Sequence, residues 1–146
     1  KLELASKKRK RPPKDVEALH HHIWFVSDRF RQFAEHVDAE AFNFVECDNS
    51  SLRFQDRPLK YWACEARRFG SYLDEANSQN LSIRDEAPGW RNMTPLSATR
   101  IAVDRKLLGD AHVFSLVECS YKVFCDDRFR MAYRAAKMGP LAFIPV

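Results

Sequence analysis

The chain has 146 residues, 24 Lys and Arg against 20 Asp and Glu, and 45% hydrophobic residues. That length carries one domain with one core, and an aromatic content of 12% excludes disorder over most of the chain. No run approaches the roughly 18 apolar residues of a membrane span, and no apolar stretch follows the basic start, which therefore does not read as a signal peptide.

The net charge of +4 is unevenly distributed. Residues 1–14 hold seven basic side chains and one acidic one, which leaves the rest of the chain with 17 positives and 19 negatives. The basic run and Pro12-Pro13 repel and break helix, so residues 1–19 read as a flexible basic arm and 20–146 as a single α+β domain. No aromatic interleaves the run, so it offers no stacking platform for single strands. A nucleic-acid contact and a nuclear address remain alternatives to a solvated linker.

His20, His21 and His22 follow. Neighbours on a strand point to opposite faces, so three adjacent histidines are not a ready ligand set, and no HExxH supports them. No metal site is expected.

The most informative feature is an internal repeat. Residues 23–47 align without a gap on residues 122–146, with six identities that include the run Asp-Arg-Phe-Arg at 28–31 and 127–130. Each copy reads as strand, helix, strand, and the two units are expected to share a mixed sheet with a β-rich middle between them. Ser27 and Asp126 stand at the N-cap, followed by Asp28 and Asp127 at the positive end of the helix dipole. Phe30, Phe33, Ala34 and Val37 form one apolar stripe, and Phe129, Ala132, Tyr133 and Ala136 the other. Arg29, Arg31, Arg128 and Arg130 fall on the solvated face. Gly139-Pro140 is expected to end the second helix. The closing strands are expected at Phe42–Val45 and Leu141–Ile144.

Between the copies, residues 59–76 fit two periods. Trp62, Ala66, Phe69 and Leu73 have helical spacing, whereas Leu59, Tyr61 and Ala63 alternate like a strand. Leu81–Arg84 reads as a short strand. Residues 86–95, with Pro88-Gly89, Asn92 and Pro95, read as a loop carrying Trp90. Ile101–Val103 and His112–Val117 are β-rich and flank a turn at Leu108-Gly109-Asp110. Asp74, Glu75, Asp85 and Glu86 form either a solvated loop face or a patch for a basic partner, and Trp90 is either core or an interface anchor.

The four cysteines show no CxxC spacing and read as reduced thiols, most of them buried. The four glycines are scattered singly, so no phosphate-cradling loop is apparent. No GxSxG occurs, and His112 near Asp110 does not by itself make a nucleophilic site. The residues assign no catalytic set, no metal and no cofactor.

Four segments together carry a resemblance. They are the strand with Ser27-Asp28-Arg29-Phe30; Tyr61-Trp62 with Leu73-Asp74 and Ser78; Leu108–Phe114; and the ending Gly139–Val146. In order and spacing they resemble an immunity-protein family of bacterial polymorphic toxin systems (immunity family eleven, formerly a domain of unknown function). The resemblance implies a small cytoplasmic α+β protein, not an enzyme, that binds a cognate secreted toxin non-covalently. Such toxins include nucleases delivered by type VI or related secretion. It also implies that Tyr61–Phe69 is a strand. The family's usual tryptophan-containing N-terminal segment is replaced here by the basic arm. Asp74, Glu75, Asp85, Glu86 and Trp90 are the expected partner contacts, and a nucleic-acid-binding module is the rival reading. The toxin and the oligomeric state are not specified.

Overall fold

A computed structural model describes residues 14–20, 23–48, 53–54, 57–87, 90–139 and 141–145. The architecture is α+β. Strands β1 (Val16–His20), β2 (Ile23–Ser27), helix α1 (Asp28–Val37) and β3 (Phe42–Glu46) come first. Short strands β4 (Arg53–Phe54) and β5 (Arg57–Pro58) precede β6 (Tyr61–Ala66) and β7 (Phe69–Gly70). A long hairpin follows, β8 (Gln79–Ala87) and β9 (Trp90–Arg100), then helix α2 (Arg105–Leu108), β10 (Val113–Leu116), a 3₁₀ turn (Val117–Cys119), β11 (Phe124–Cys125) and helix α3 (Asp127–Ala135).

Among the described residues the strands form a four-stranded sheet in the order β1-β2-β6-β3, a three-stranded sheet β11-β10-β7, and the ladders β4-β5 and β8-β9. The first sheet is antiparallel throughout. The second is mixed, with β11 antiparallel and β7 parallel to β10.

Strand β1 alters the boundary of the arm. Val16–His20 pairs with β2, so residues 16–19 belong to the sheet. The Pro12-Pro13 and basic-run expectations lie outside the described residues, as do His21 and His22.

Both helices start where the side chains dictate. Ser27 Oγ accepts the Phe30 N–H at 3.2 Å, and Asp126 Oδ1 accepts the Phe129 N–H at 3.0 Å. Both stripes face inward. Phe30, Ala34, Phe129 and Tyr133 are buried in one core with Val26, Phe42 and Val113. The bulky and small partners are exchanged between copies, and this lets the helices interlock. The Phe33 ring meets Phe129 at 5.4 Å and Tyr133 at 5.7 Å, both edge to face, while Ala34 is fully buried.

The two units do not share a sheet. β2 and β3 flank β6, whereas β11 lies in the other sheet beside β10, and Leu141–Ile144 is not a strand. The reason is occupancy. In the first copy the closing strand lies across β6 from the opening strand. The corresponding place across β10 from β11 is held by β7, through Ser115↔Phe69 and Leu116↔Gly70. The final segment packs through side chains instead, with Phe143 5.4 Å from the Tyr133 ring.

Gly139 does not end α3. The chain leaves the helix through Lys137, whose φ is +49°. Lys137 N–H donates to Arg134 O and Met138 N–H to Tyr133 O, the paired bonds of a Schellman motif. Gly139 serves a close approach, since a Cβ there would lie 3.1 Å from the Asp15 nitrogen.

β6 is a strand despite the helical spacing of its apolar residues. It is central and both its faces are covered: Trp62, Cys64 and Ala66 face the core containing α1, and Tyr61 and Ala63 belong to a separate cluster with Phe25 and Cys47. A strand buried on both sides loses the alternation that would reveal it. The expected loop at 86–95 is instead hairpin, with β9 running through Asn92 and Pro95. Among the described residues β9 pairs with β8 alone, and such an edge strand tolerates Pro95.

Candidate partner-binding surfaces

Three places on the surface concentrate chemistry. The first contains the residues expected from the sequence. Glu75 and Asp85 converge on Arg91 of β9, Glu75 through the Arg91 NH1 and Asp85 at 3.3 Å from its Nε. The direct bond from Arg91 lowers the Glu75 pKa. Asp74 belongs to a neighbouring turn, where its carboxylate accepts the Asn77 N–H at 3.2 Å and the Asn77 amide at 2.7 Å. Glu86 lies in β8 and Trp90 opens β9, and their side chains fall outside the description. The patch is therefore acidic but partly neutralised: two carboxylates share one guanidinium.

The Leu73-Asp74 and Ser78 motif has a structural job beneath this patch. Leu73 bridges Val103, and Asp74 N–H donates to Ala102 O. Ser78 Oγ donates to Asp74 O at 2.6 Å and accepts the Ala102 N–H at 2.9 Å. The hairpin base is thus stitched at both strands.

The second place surrounds Trp62, which the sequence reading did not select for function. Its Nε1–H donates to Asp28 Oδ1 at 2.9 Å. The Arg31 guanidinium lies 4.7 Å and the Lys60 ammonium 4.8 Å from its ring. Arg31 also pairs with Asp28 at 3.2 Å and Glu35 at 2.8 Å. Partial burial opposes the ionised form of Asp28, but the bonds from Trp62 and Arg31 outweigh it and lower its pKa. Each charge here has an intramolecular partner, so the cluster fastens α1 to β6.

The third place is a groove of about 500 Å³ between β11, the start of α3 and residues 141–145. Its base includes Trp24, Phe42 and Val113, and Lys122, Asp127 and Arg130 also line it. Ile144, on the final segment, is 76% exposed.

Behind these surfaces runs a polar chain. Asp38, the C-cap of α1, accepts two bonds from Arg68 and the N–H of His112. His112 Nδ1 lies 2.8 Å from Asp126 Oδ2, the N-cap of α3. A carboxylate can only accept, so Nδ1 carries the proton. His112 is therefore a positioned structural histidine, and its partner is Asp126, not Asp110. Cys47, Cys64, Cys119 and Cys125 stand as thiols and not in disulfides, three of them buried. Among the described residues no group of three or more His, Cys, Asp and Glu side chains converges as metal ligands do. No described helix is long and apolar enough to cross a membrane.

A comparison with curated proteins finds no match. The model of the Immunity protein family (Imm11), in contrast, matches residues 2–146, so it takes in both repeated segments, the stitched hairpin base and the groove. The chain belongs to this immunity protein family.

Proposed function

We propose that the protein acts in the bacterial cytoplasm to neutralise one cognate toxin of a polymorphic toxin system, delivered by type VI or a related secretion route, through non-covalent binding. The observation that carries this reading is the family match over residues 2–146. The interlocked helices support it, because an inhibitor needs a rigid scaffold beneath its contact surface. The acidic side of the hairpin supports a basic toxin such as a nuclease. Asp74, Glu75, Asp85 and Glu86 supply the charge, and Trp90 at the start of β9 supplies an aromatic anchor.

Co-expression with the product of the upstream gene, as the candidate toxin, tests the reading. Growth is rescued and the two proteins co-purify. A pair Glu75→Lys and Asp85→Lys slows association about tenfold at low salt, and less at high salt. Loss of protection with no complex at any salt concentration, alongside binding of duplex DNA through residues 1–14, would replace the reading with the nucleic-acid one.

A further inference from the structure

The duplicated halves treat the same arginine differently. In the first copy Arg31 is fully engaged: Nε donates to Asp28, NH1 to both oxygens of Glu35, and the guanidinium stacks on Trp62. Among the described residues its counterpart Arg130 keeps only the first partner, through NH2 to Asp127 Oδ1 at 2.9 Å. The position equivalent to Glu35 is Arg134, a cation. Arg130 Nε is occluded and has no acceptor among the described residues. An occluded N–H without an acceptor is costly to retain, and the carboxylate that Glu35 gives to NH1 in the first copy has no counterpart here.

Arg130 lines the groove, and so does Lys122, which makes no ion pair among the described residues and whose ammonium lies 5.7 Å from the Tyr121 ring. Two cations thus face one carboxylate, Asp127. The backbone around the groove is incomplete in the same sense. Among the described residues β11 is bonded to β10 alone, and residues 141–145 join no sheet. An edge strand beside an apolar trough is the arrangement that accepts an added strand: main-chain bonds supply affinity, and alternate side chains enter the trough.

We infer that this groove seats an extended segment of the toxin, apolar at alternate positions and carrying an Asp or Glu that meets Arg130 and Lys122. The inference rests on the immunity reading. It places a second contact on the molecule, separate from the acidic hairpin, and specifies its chemistry.

The test uses the full chain and the purified, catalytically inactivated toxin domain encoded upstream. Ala142→Trp fills the groove and weakens binding about 30-fold; Lys122→Glu weakens it about tenfold. Arg128→Glu, at an exposed position of α3 two residues from Arg130, leaves binding unchanged. Melting temperatures check that the variants fold, and hydrogen exchange of the wild-type complex gains protection at residues 122–125. Wild-type binding with both groove variants within twofold, and no new protection there, overturns the groove and leaves the immunity reading standing. The same follows if the variants alter only self-association, which would make the occupant a second copy. Wild-type protein that neither binds nor protects overturns both.

Discussion

Asp38 grips Arg68 through two bonds of 2.6 and 3.0 Å while its own side chain is only 6% exposed. The same carboxylate accepts the N–H of His112 at 3.0 Å and of Glu40 at 3.1 Å. One side chain thereby joins the end of α1, the link from β6 to β7 and the entrance to β10. Removing one member of such a pair leaves the other charge buried and unmatched. Asp38→Ala is expected to cost about 3 kcal/mol in urea unfolding, and a loss under about 1 kcal/mol would show the knot to be ornamental.

The same carboxylate sets an acid limb. Burial opposes ionisation of Asp38, but the bonds from Arg68 and His112 outweigh it, and its pKa is lowered from 3.8. The unfolded chain therefore binds the proton more readily than the folded one. The stabilisation is complete above the unfolded value near 3.8 and is lost as pH falls through the lower folded value. Asp28 acts in the same direction. Thermal melts from pH 7 down to pH 2 should show a plateau and then a steep fall, and Asp38→Asn should flatten that fall.

Lys137 occupies the left-handed position of the α3 C-cap, where a side chain is strained. Lys137→Gly is expected to stabilise the protein by about 1 kcal/mol, read as a higher urea midpoint with an unchanged slope. No other single change in the helix is expected to raise stability so cheaply, since the capping bonds are already made.

The boundary of the basic arm can be located by truncation. Tyr61 O–H donates to Lys14 O at 2.9 Å. Asp15 accepts from Ser27 Oγ, from Arg29 and from the Gly139 N–H. Removal of residues 1–13 should leave the melting temperature and toxin protection intact. Removal of residues 1–15 should cost about 2 kcal/mol or more, because Tyr61 O–H, the Ser27 hydroxyl and N–H, Arg29 and the Gly139 N–H all lose their acceptors. Equal stability of the two truncations would contradict this assignment.

Thiol chemistry gives an independent check on burial. Burial raises the Cys64 pKa, and burial followed by the Asp126 charge pushes Cys125 up to about 11. At pH 8 roughly one Cys125 in a thousand is then a thiolate. Alkylation of the native protein at pH 8 should be slow at both sites and become fast in urea. Rapid native labelling of Cys64 would mean that the β6 face opens.

What could be read from the sequence was local. Ser27 and Asp126 as caps, and Phe30 and Phe129 as core anchors, follow from positions within a few residues of one another, where helix rules operate. What escaped depends on distant neighbours. The strand β6 is hidden because both its faces are buried, one against the core with α1 and the other against Phe25 and Cys47. The second closing strand fails because β7, from the middle of the chain, holds its place. The lone left-handed lysine defeats the rule that glycine ends helices, since Gly139 was needed against Asp15. Of the expected contacts, Glu75 and Asp85 do come together, but the residue that unites them, Arg91, carried no local signal. The groove was illegible for the same reason: its walls are residues 122–130 and 141–145, and its base comes from β2, β3 and β10.

Asp15 is hydrogen-bonded at once to the start of α1, through Ser27, and to Gly139 beyond α3. Arg29 spans the same junction, from the Asp15 carboxylate to the Ala136 carbonyl. The residues before β1 and those after α3 are therefore held in one seam, like the two ends of a belt at its buckle. Fraying that begins at either side must undo the same carboxylate, so residues 14–16 and 136–139 should open and close as one cooperative unit.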